Sequence, residues 1–149
     1  MTTASSSDVL ELEVRIAARP ETVYTFLSDS AGMARWFGSK VELDPKPGGR
    51  IRVDINGRDI VLGEVLELVP NERVLFTFGW EGAGHPVPPG SSTVEISLVE
   101  DGGETIVRLS HRGLTAEQAA SHKEGWEHFL PRLVALAEGR DPGPDPWTE

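Results

Sequence analysis

Apolar and polar residues alternate along most of this chain, which is the pattern of β-strands that bury one face. The first example is residues 9–16, VLELEVRI, whose apolar side chains share one face and whose charged side chains share the other. The same period recurs in RIRVDI, IVLGEVLELV, RVLFTFGW, STVEISLV and ETIVRLSH. Short turn sequences separate these segments, and EDGGE predicts a hairpin around Asp101, Gly102 and Gly103. Such links predict an antiparallel sheet of about six or seven strands.

One predicted strand, residues 60–69, is apolar on both faces, so the pattern leaves open which face is buried. Glu64 and Glu67 lie on opposite faces, and one of them is expected to point inward. An inward glutamate beside His111 would form an acid–base pair.

Two short segments follow a helical period instead of the strand period. ARPETVYTFLSD has Pro20 in its first helical turn, with apolar residues three and four positions apart after it. SAGMARWFG predicts a second short helix, capped by Ser30 and ended by Gly38. Both helices are expected between the first strand and the rest of the sheet.

The last predicted element is a long amphipathic helix. Thr115 and Gln118 form a capping box at its start and Gly139 ends it, which gives about 23 residues. Pro131 lies inside it, so we expect a kink there. One face of this helix carries His122, Trp126, Phe129, Leu133 and Leu136.

Length and composition fit one globular domain. The chain has 149 residues. It has no cysteine, which excludes disulfides and thiolate metal sites. Its net charge of −10 argues against nucleic-acid binding. The absence of a signal peptide and of a long apolar run predicts a cytoplasmic protein without membrane insertion. We expect a disordered N-terminus at residues 1–7, a single domain at residues 8–138 and a flexible tail at residues 139–149. The sequence leaves open whether Trp147 in that tail folds back or hangs free.

Five stretches follow one another in a recognisable order. They are PETVYTFLSD with MARWFG, GGRIRVDING, GEVLELVPNERVLFTFGWE, STVEISLVEDGGETIVRLSHRGL and GWEHFLPRL. Together they resemble the START-related helix-grip (SRPBCC) superfamily over roughly residues 9–138. The resemblance is to its bacterial branch, similar to the C-terminal domain of the activator of the ninety-kilodalton heat-shock-protein ATPase.

This resemblance implies an α+β helix-grip fold, a curved antiparallel sheet wrapped around a long C-terminal helix, with two short helices after the first strand. It also implies a deep cavity between sheet and helix. Superfamily members bind lipids, sterols, polyketides or plant hormones, and a few are cyclases or hydroxylase components. The family has no universal catalytic motif. Its GW…L…L pattern and its paired aromatic residues match Gly125, Trp126, Leu130, Leu133, Trp36 and Phe37 here.

Aromatic residues are the main candidates for a binding site, because so many large rings cannot pack on a small sheet without leaving space. We expect His111 and His122 to point inward, either as polar contacts to a ligand or as hydrogen-bonded core residues. We expect His128 to face solvent, and His85 to lie on a mobile loop at the cavity mouth. The predicted ligand-binding residues are Trp36, Phe37, Phe76, Phe78, Trp80, His111, His122, Trp126 and Phe129.

No catalytic motif is present, and we predict neither a metal nor a cofactor. Ser110 lies on the opposite strand face from His111, and His122 and His128 face different ways on the helix. The leading hypothesis is a protein that binds a small apolar or amphipathic molecule between the sheet and the C-terminal helix. The alternatives are a cyclase- or aromatase-type enzyme that uses the same pocket and a co-chaperone-like module that binds proteins. Exposed edge strands would also permit a homodimer.

Overall fold

The structure of the protein is a computed structural model that describes residues 9–82 and 87–148. The N-terminus predicted to be disordered, residues 1–7, and His85, the histidine expected at the cavity mouth, lie outside the described residues. The elements in chain order are β1 (Val9–Ile16), α1 (Pro20–Thr25), α2 (Ser30–Ala34), β2 (Lys40–Leu43), β3 (Arg50–Asp54), β4 (Ile60–Val69), β5 (Arg73–Phe78), β6 (Ser92–Asp101), β7 (Glu104–Arg112), α3 (Ala116–Ala137) and a 3₁₀ turn (Pro146–Thr148).

The seven strands form one curved antiparallel sheet in the order β1-β7-β6-β5-β4-β3-β2. Strands β2 to β7 are therefore a meander, and β1 joins its far edge beside β7. The predicted α+β helix-grip fold is confirmed. The hairpin between β6 and β7 turns at Gly102 and Gly103, both with positive φ, as the EDGGE sequence predicts. Strand β2 was not predicted, because it has only four residues and buries only Leu43.

A β-bulge in β4 settles which face of this strand is buried. Val61 and Val65 are buried, and the register then shifts between Val65 and Glu67. An extra residue reverses the alternation, so Leu68 packs on the core while Glu67 pairs with Arg73. The predicted inward glutamate beside His111 is therefore wrong, since Glu64 is exposed as well.

The two short helices lie where the sequence predicts them, with two corrections. Helix α2 ends at Ala34, before the predicted stop at Gly38. Asp29 and not Ser30 caps α2, because its carboxylate accepts a 2.6 Å hydrogen bond from the Gly32 amide. Ser30 is the first helical residue, and its hydroxyl instead accepts a 2.9 Å hydrogen bond from the Leu43 amide. This bond ties the start of α2 to β2.

Helix α3 has the predicted ends. Thr115 and Gln118 form a reciprocal capping box. Gly139, with φ 82°, ends the helix, and the Arg140 amide donates to the Ala135 carbonyl at 2.8 Å. The helix continues across Pro131, whose side chain is exposed. Its apolar face joins the inward faces of the strands in one core cluster.

The described helices are too short or too polar to cross a bilayer.

Candidate ligand-binding site

A pocket of about 670 Å³ opens between the N-terminal half of α3, the end of β5 and the connection between β3 and β4. Its apolar wall consists of Phe37, Ile55, Phe78, Trp80, Val87, Trp126, Phe129 and Trp147. Its polar rim consists of Asn56, Asp59, Thr115, Glu117, Gln118, Ser121, His122 and Glu124, and Gly125 lies between wall and rim.

Three parts of the fold supply five of the six aromatic residues of the wall. The period of β5 sends Phe78 inward, and the chain just beyond this strand adds Trp80. Helix α3 adds Trp126 and Phe129, which share a face because they are three residues apart. Phe37, just after α2, packs between them, with ring centroids 5.2 Å from Trp126 and 5.1 Å from Phe129. These edge and tilted contacts form a continuous apolar surface before any ligand binds.

The structure brings six of the nine predicted ligand-binding residues to the pocket, namely Phe37, Phe78, Trp80, His122, Trp126 and Phe129. The other three, Trp36, Phe76 and His111, lie behind this surface. Trp36 is 1% exposed and donates its indole N–H to the Phe26 carbonyl at 2.8 Å. Phe76 is also 1% exposed, in the core.

His111 is fully buried and both of its ring nitrogens have a partner. The indole N–H of Trp126 donates to Nδ1 at 3.1 Å, so Nδ1 carries no proton. Nε2 must then carry the proton, and it donates to the Ser92 hydroxyl at 2.9 Å. The Ser92 hydroxyl in turn donates a hydrogen bond to the Phe78 carbonyl at 2.7 Å. Burial, and to a smaller extent the nearby His122, lower the pKa of His111 from 6.5 to about 3.

His122 is arranged in the same way, one layer closer to the pocket. The indole N–H of Trp80 donates to its Nε2 at 3.0 Å, and Nδ1 donates to the Gln118 carbonyl at 2.8 Å. The two imidazole rings lie 5.3 Å apart, edge to face. Each histidine accepts from a tryptophan, which can only donate, so both rings are neutral in this arrangement.

Sequence reasoning missed Ser92. It pairs with His111 across neighbouring strands, whereas Ser110, the serine next to His111 in sequence, faces away. This pair is not an activated nucleophile, because the His111 nitrogen that faces Ser92 already carries a proton. Only the register of β6 against β7 reveals the contact. Among the described residues, no group of three metal-ligating side chains comes together.

The rim of the pocket is acidic. Asp59, Glu117 and Glu124 line it, whereas the described lining includes no lysine or arginine. None of these three carboxylates forms an ion pair with a basic group of the described residues, although many other carboxylates do, such as Asp101 and Glu95. The pocket therefore combines an aromatic wall with a negatively charged opening.

The C-terminal tail completes the wall. The Trp147 ring stacks on His128 at a centroid distance of 3.9 Å and an angle of 6°. His128 in turn donates to the buried Asp145 carboxylate at 2.7 Å. The prediction that His128 faces solvent is therefore wrong, because the tail covers it. Of the two positions left open for Trp147, the structure shows the folded-back one.

A model of the protein family "Activator of Hsp90 ATPase homolog 1-like protein" matches residues 17–138. The solution structure of an AHSA1-like protein from Rhizobium etli is 46% identical and has a TM-score of 0.73, covering 95% of this chain and 88% of that one. CalU16 from Micromonospora echinospora is 26% identical with a TM-score of 0.73, covering 91% and 77%. Aha1 from Colwellia psychrerythraea, solved as a dimer, is 23% identical with a TM-score of 0.75, covering 91% and 98%, and shares the fold. No curated protein gives a significant match.

Proposed function

The chain belongs to the Activator of Hsp90 ATPase homolog 1-like family, and from its pocket we propose that it binds a small hydrophobic or amphipathic molecule between sheet and C-terminal helix. The observation that carries this proposal is the open volume of about 670 Å³ against a wall that includes six aromatic rings. Pockets that bury small organic ligands have this size and this kind of lining. A side-chain core of the same composition would have closed the space.

Burial of apolar surface supplies most of the binding free energy in this proposal. The indole N–H groups of Trp80 and Trp126 already donate to His122 and His111, so these tryptophans offer a ligand mainly their ring faces. At about 25 cal/mol per Å² of apolar area, a complex that buries about 200 Å² of apolar surface, counted over wall and ligand together, gains about 5 kcal/mol before the costs of association.

The charge of the rim narrows the class of ligand. The carboxylates Asp59, Glu117 and Glu124 repel an anionic end group, and they attract a cationic one that sits above aromatic rings. The proposed ligand therefore has an apolar body and a neutral or cationic end that faces the rim. Catalysis has less support in the described residues, because both nitrogens of each inward histidine are already engaged in hydrogen bonds.

Gly125 offers a direct test with the neutral fluorescent probe N-phenyl-1-naphthylamine. A Cβ at Gly125 would meet no atom within 4 Å, so Gly125→Phe adds a ring to the pocket without a clash in the core. We expect the wild-type protein to bind the probe and the variant to bind it at least about tenfold more weakly, a loss of about 1.4 kcal/mol. Ala120→Phe, at an exposed helix position outside the pocket, is the matched control and should bind like the wild type.

Failure of the wild type to bind, or equal binding by Gly125→Phe, would refute the proposal. Displacement of the probe by charged amphiphiles then tests the effect of the negatively charged rim. Dodecyltrimethylammonium should displace the probe at lower concentration than dodecyl sulfate, both below the concentrations at which they form micelles. Native mass spectrometry of protein purified from its own host would identify a co-purifying molecule directly.

A further inference from the structure

The chain beyond α3 folds back along this helix instead of leaving the domain. Arg132 donates to the Gly143 carbonyl at 2.8 Å, and His128, one helical turn earlier, contacts Asp145 and Trp147. The tail thus runs antiparallel to α3 and reaches the pocket at Trp147.

Asp145 anchors this tail. Its side chain is 7% exposed, and one carboxylate oxygen accepts from His128 Nε2 at 2.7 Å and from the Trp147 amide at 2.9 Å. The other oxygen lies 3.6 Å from Arg132 Nε. Removing the charge of Asp145 would leave Arg132 and His128 without their buried partner, and the loss of one member of such a cluster is strongly destabilising. The same group that attaches the tail to α3 therefore also sets the position of the Trp147 backbone.

Trp147 is held on one side and open on the other. One ring face stacks on His128, and the ring meets Phe129 edge-on at a centroid distance of 5.7 Å. The residue is nevertheless 43% exposed and lines the pocket. A large aromatic ring that is fixed in place yet uncovered toward a pocket is available to a ligand without further loss of side-chain freedom.

We propose that Trp147 is a ligand-contacting residue and that residues 139–148 hold it against the binding site, so that their attachment through Asp145 controls affinity and release. This inference rests on the proposed function, because it needs the pocket to hold a ligand. It adds that the site is incomplete without the tail, although the tail lies outside the segment that the family model matches. Ligand and tail then stabilise each other, since linkage between two binding events is reciprocal.

The test compares four full-length variants with the wild type by titration of N-phenyl-1-naphthylamine and by stopped-flow dissociation of the probe. We expect Trp147→Ala to raise the dissociation constant about tenfold, and Trp147→Phe to stay within about threefold because it keeps a ring. Asp145→Asn should raise both the dissociation constant and the dissociation rate. Asp141→Asn makes the same chemical change in the same tail. Asp141 is exposed and, among the described residues, accepts a hydrogen bond from the Gly143 amide alone, so this variant should behave like the wild type.

Hydrogen exchange of residues 139–148 gives an independent readout. Saturating probe should slow exchange in this segment of the wild type and of Asp141→Asn, and should slow it less in Asp145→Asn. If the wild type binds the probe and both Trp147→Ala and Asp145→Asn bind it within twofold of the wild type, this inference is wrong and the proposed function still stands. Absence of binding by the wild type would overturn both. Circular dichroism and thermal unfolding confirm that each variant keeps its fold.

Discussion

The buried imidazole of His111 makes the stability of this protein depend on pH in a defined window. The pKa of His111 falls from 6.5 to about 3 in the folded protein, chiefly because the ring is buried and secondarily because His122 is near. In the unfolded chain the ring is solvated and titrates near 6.5. Below that pH the unfolded chain therefore binds a proton that the folded protein does not, and the free energy of unfolding falls as the pH falls.

The magnitude follows from the two pKa values. Above pH 6.5 both states hold a neutral ring, and the contribution of His111 to stability is complete. Each pH unit below 6.5 removes about 1.4 kcal/mol, so about 2 kcal/mol is lost at pH 5. The loss continues until the pH approaches the folded pKa of about 3. Burial is the main reason for this shift, and the Trp126 indole N–H already occupies the nitrogen that would have to accept the proton.

The assay is urea denaturation at pH 7.5, 6 and 5, followed by tryptophan fluorescence, for the wild type and for His111→Asn. The variant is expected to be less stable at pH 7.5, because it loses packing and a hydrogen bond. It should lose about 2 kcal/mol less than the wild type between pH 7.5 and pH 5, since carboxylates titrate alike in both proteins. Parallel losses within about 0.5 kcal/mol would refute this reasoning. An NMR titration that places the pKa of the His111 ring above 5 in the folded protein would refute it as well.

Two further predictions concern the helix and the sheet. Thr115→Ala removes the capping box of α3 and should lower the free energy of unfolding by about 1 kcal/mol, so an unchanged urea midpoint would contradict the cap. Gly63→Ala and Gly125→Ala form a matched pair. A Cβ at Gly63 would lie 1.9 Å from the Thr77 carbonyl oxygen and should cost on the order of 2 kcal/mol, whereas one at Gly125 meets nothing and should add about 1 kcal/mol through helix propensity. Equal urea midpoints for the two variants would show that the strand relaxes around the added methyl group.

Features of the fold that depend on neighbouring residues could be predicted from the sequence. The period of β6 and β7, the two glycines of their hairpin and the capping box at Thr115 each act within a few residues. The same holds for most of the pocket wall, because Phe78 and Trp126 follow from the period of the element that carries them.

Features that depend on contacts between distant segments could not be predicted. The bulge in β4 reverses the direction of Glu67 without a signal in the local pattern. Ser92 meets His111 only through the register of two strands. The hydrogen bond between Asp145 and His128 joins the tail to α3, although the helical period places His128 on the polar face of this helix. In each case the deciding interaction lies outside the window over which a hydrophobic pattern is read.

The pocket exists because α3 changes character along its length. Residues 116–125 bury no side chain, whereas the twelve residues that follow include seven buried ones. The first half still passes over the aromatic residues at the end of β5, so Gln118 and Ser121 line a space that they do not fill. Gly125, where the two halves meet, has no side chain to fill this space. A helix that served only to close the core would continue its apolar face through these positions, as it does from Trp126 onward. The C-terminal half therefore stabilises the sheet while the N-terminal half keeps the pocket open, and Gly125→Phe separates these roles because it adds volume to the pocket alone.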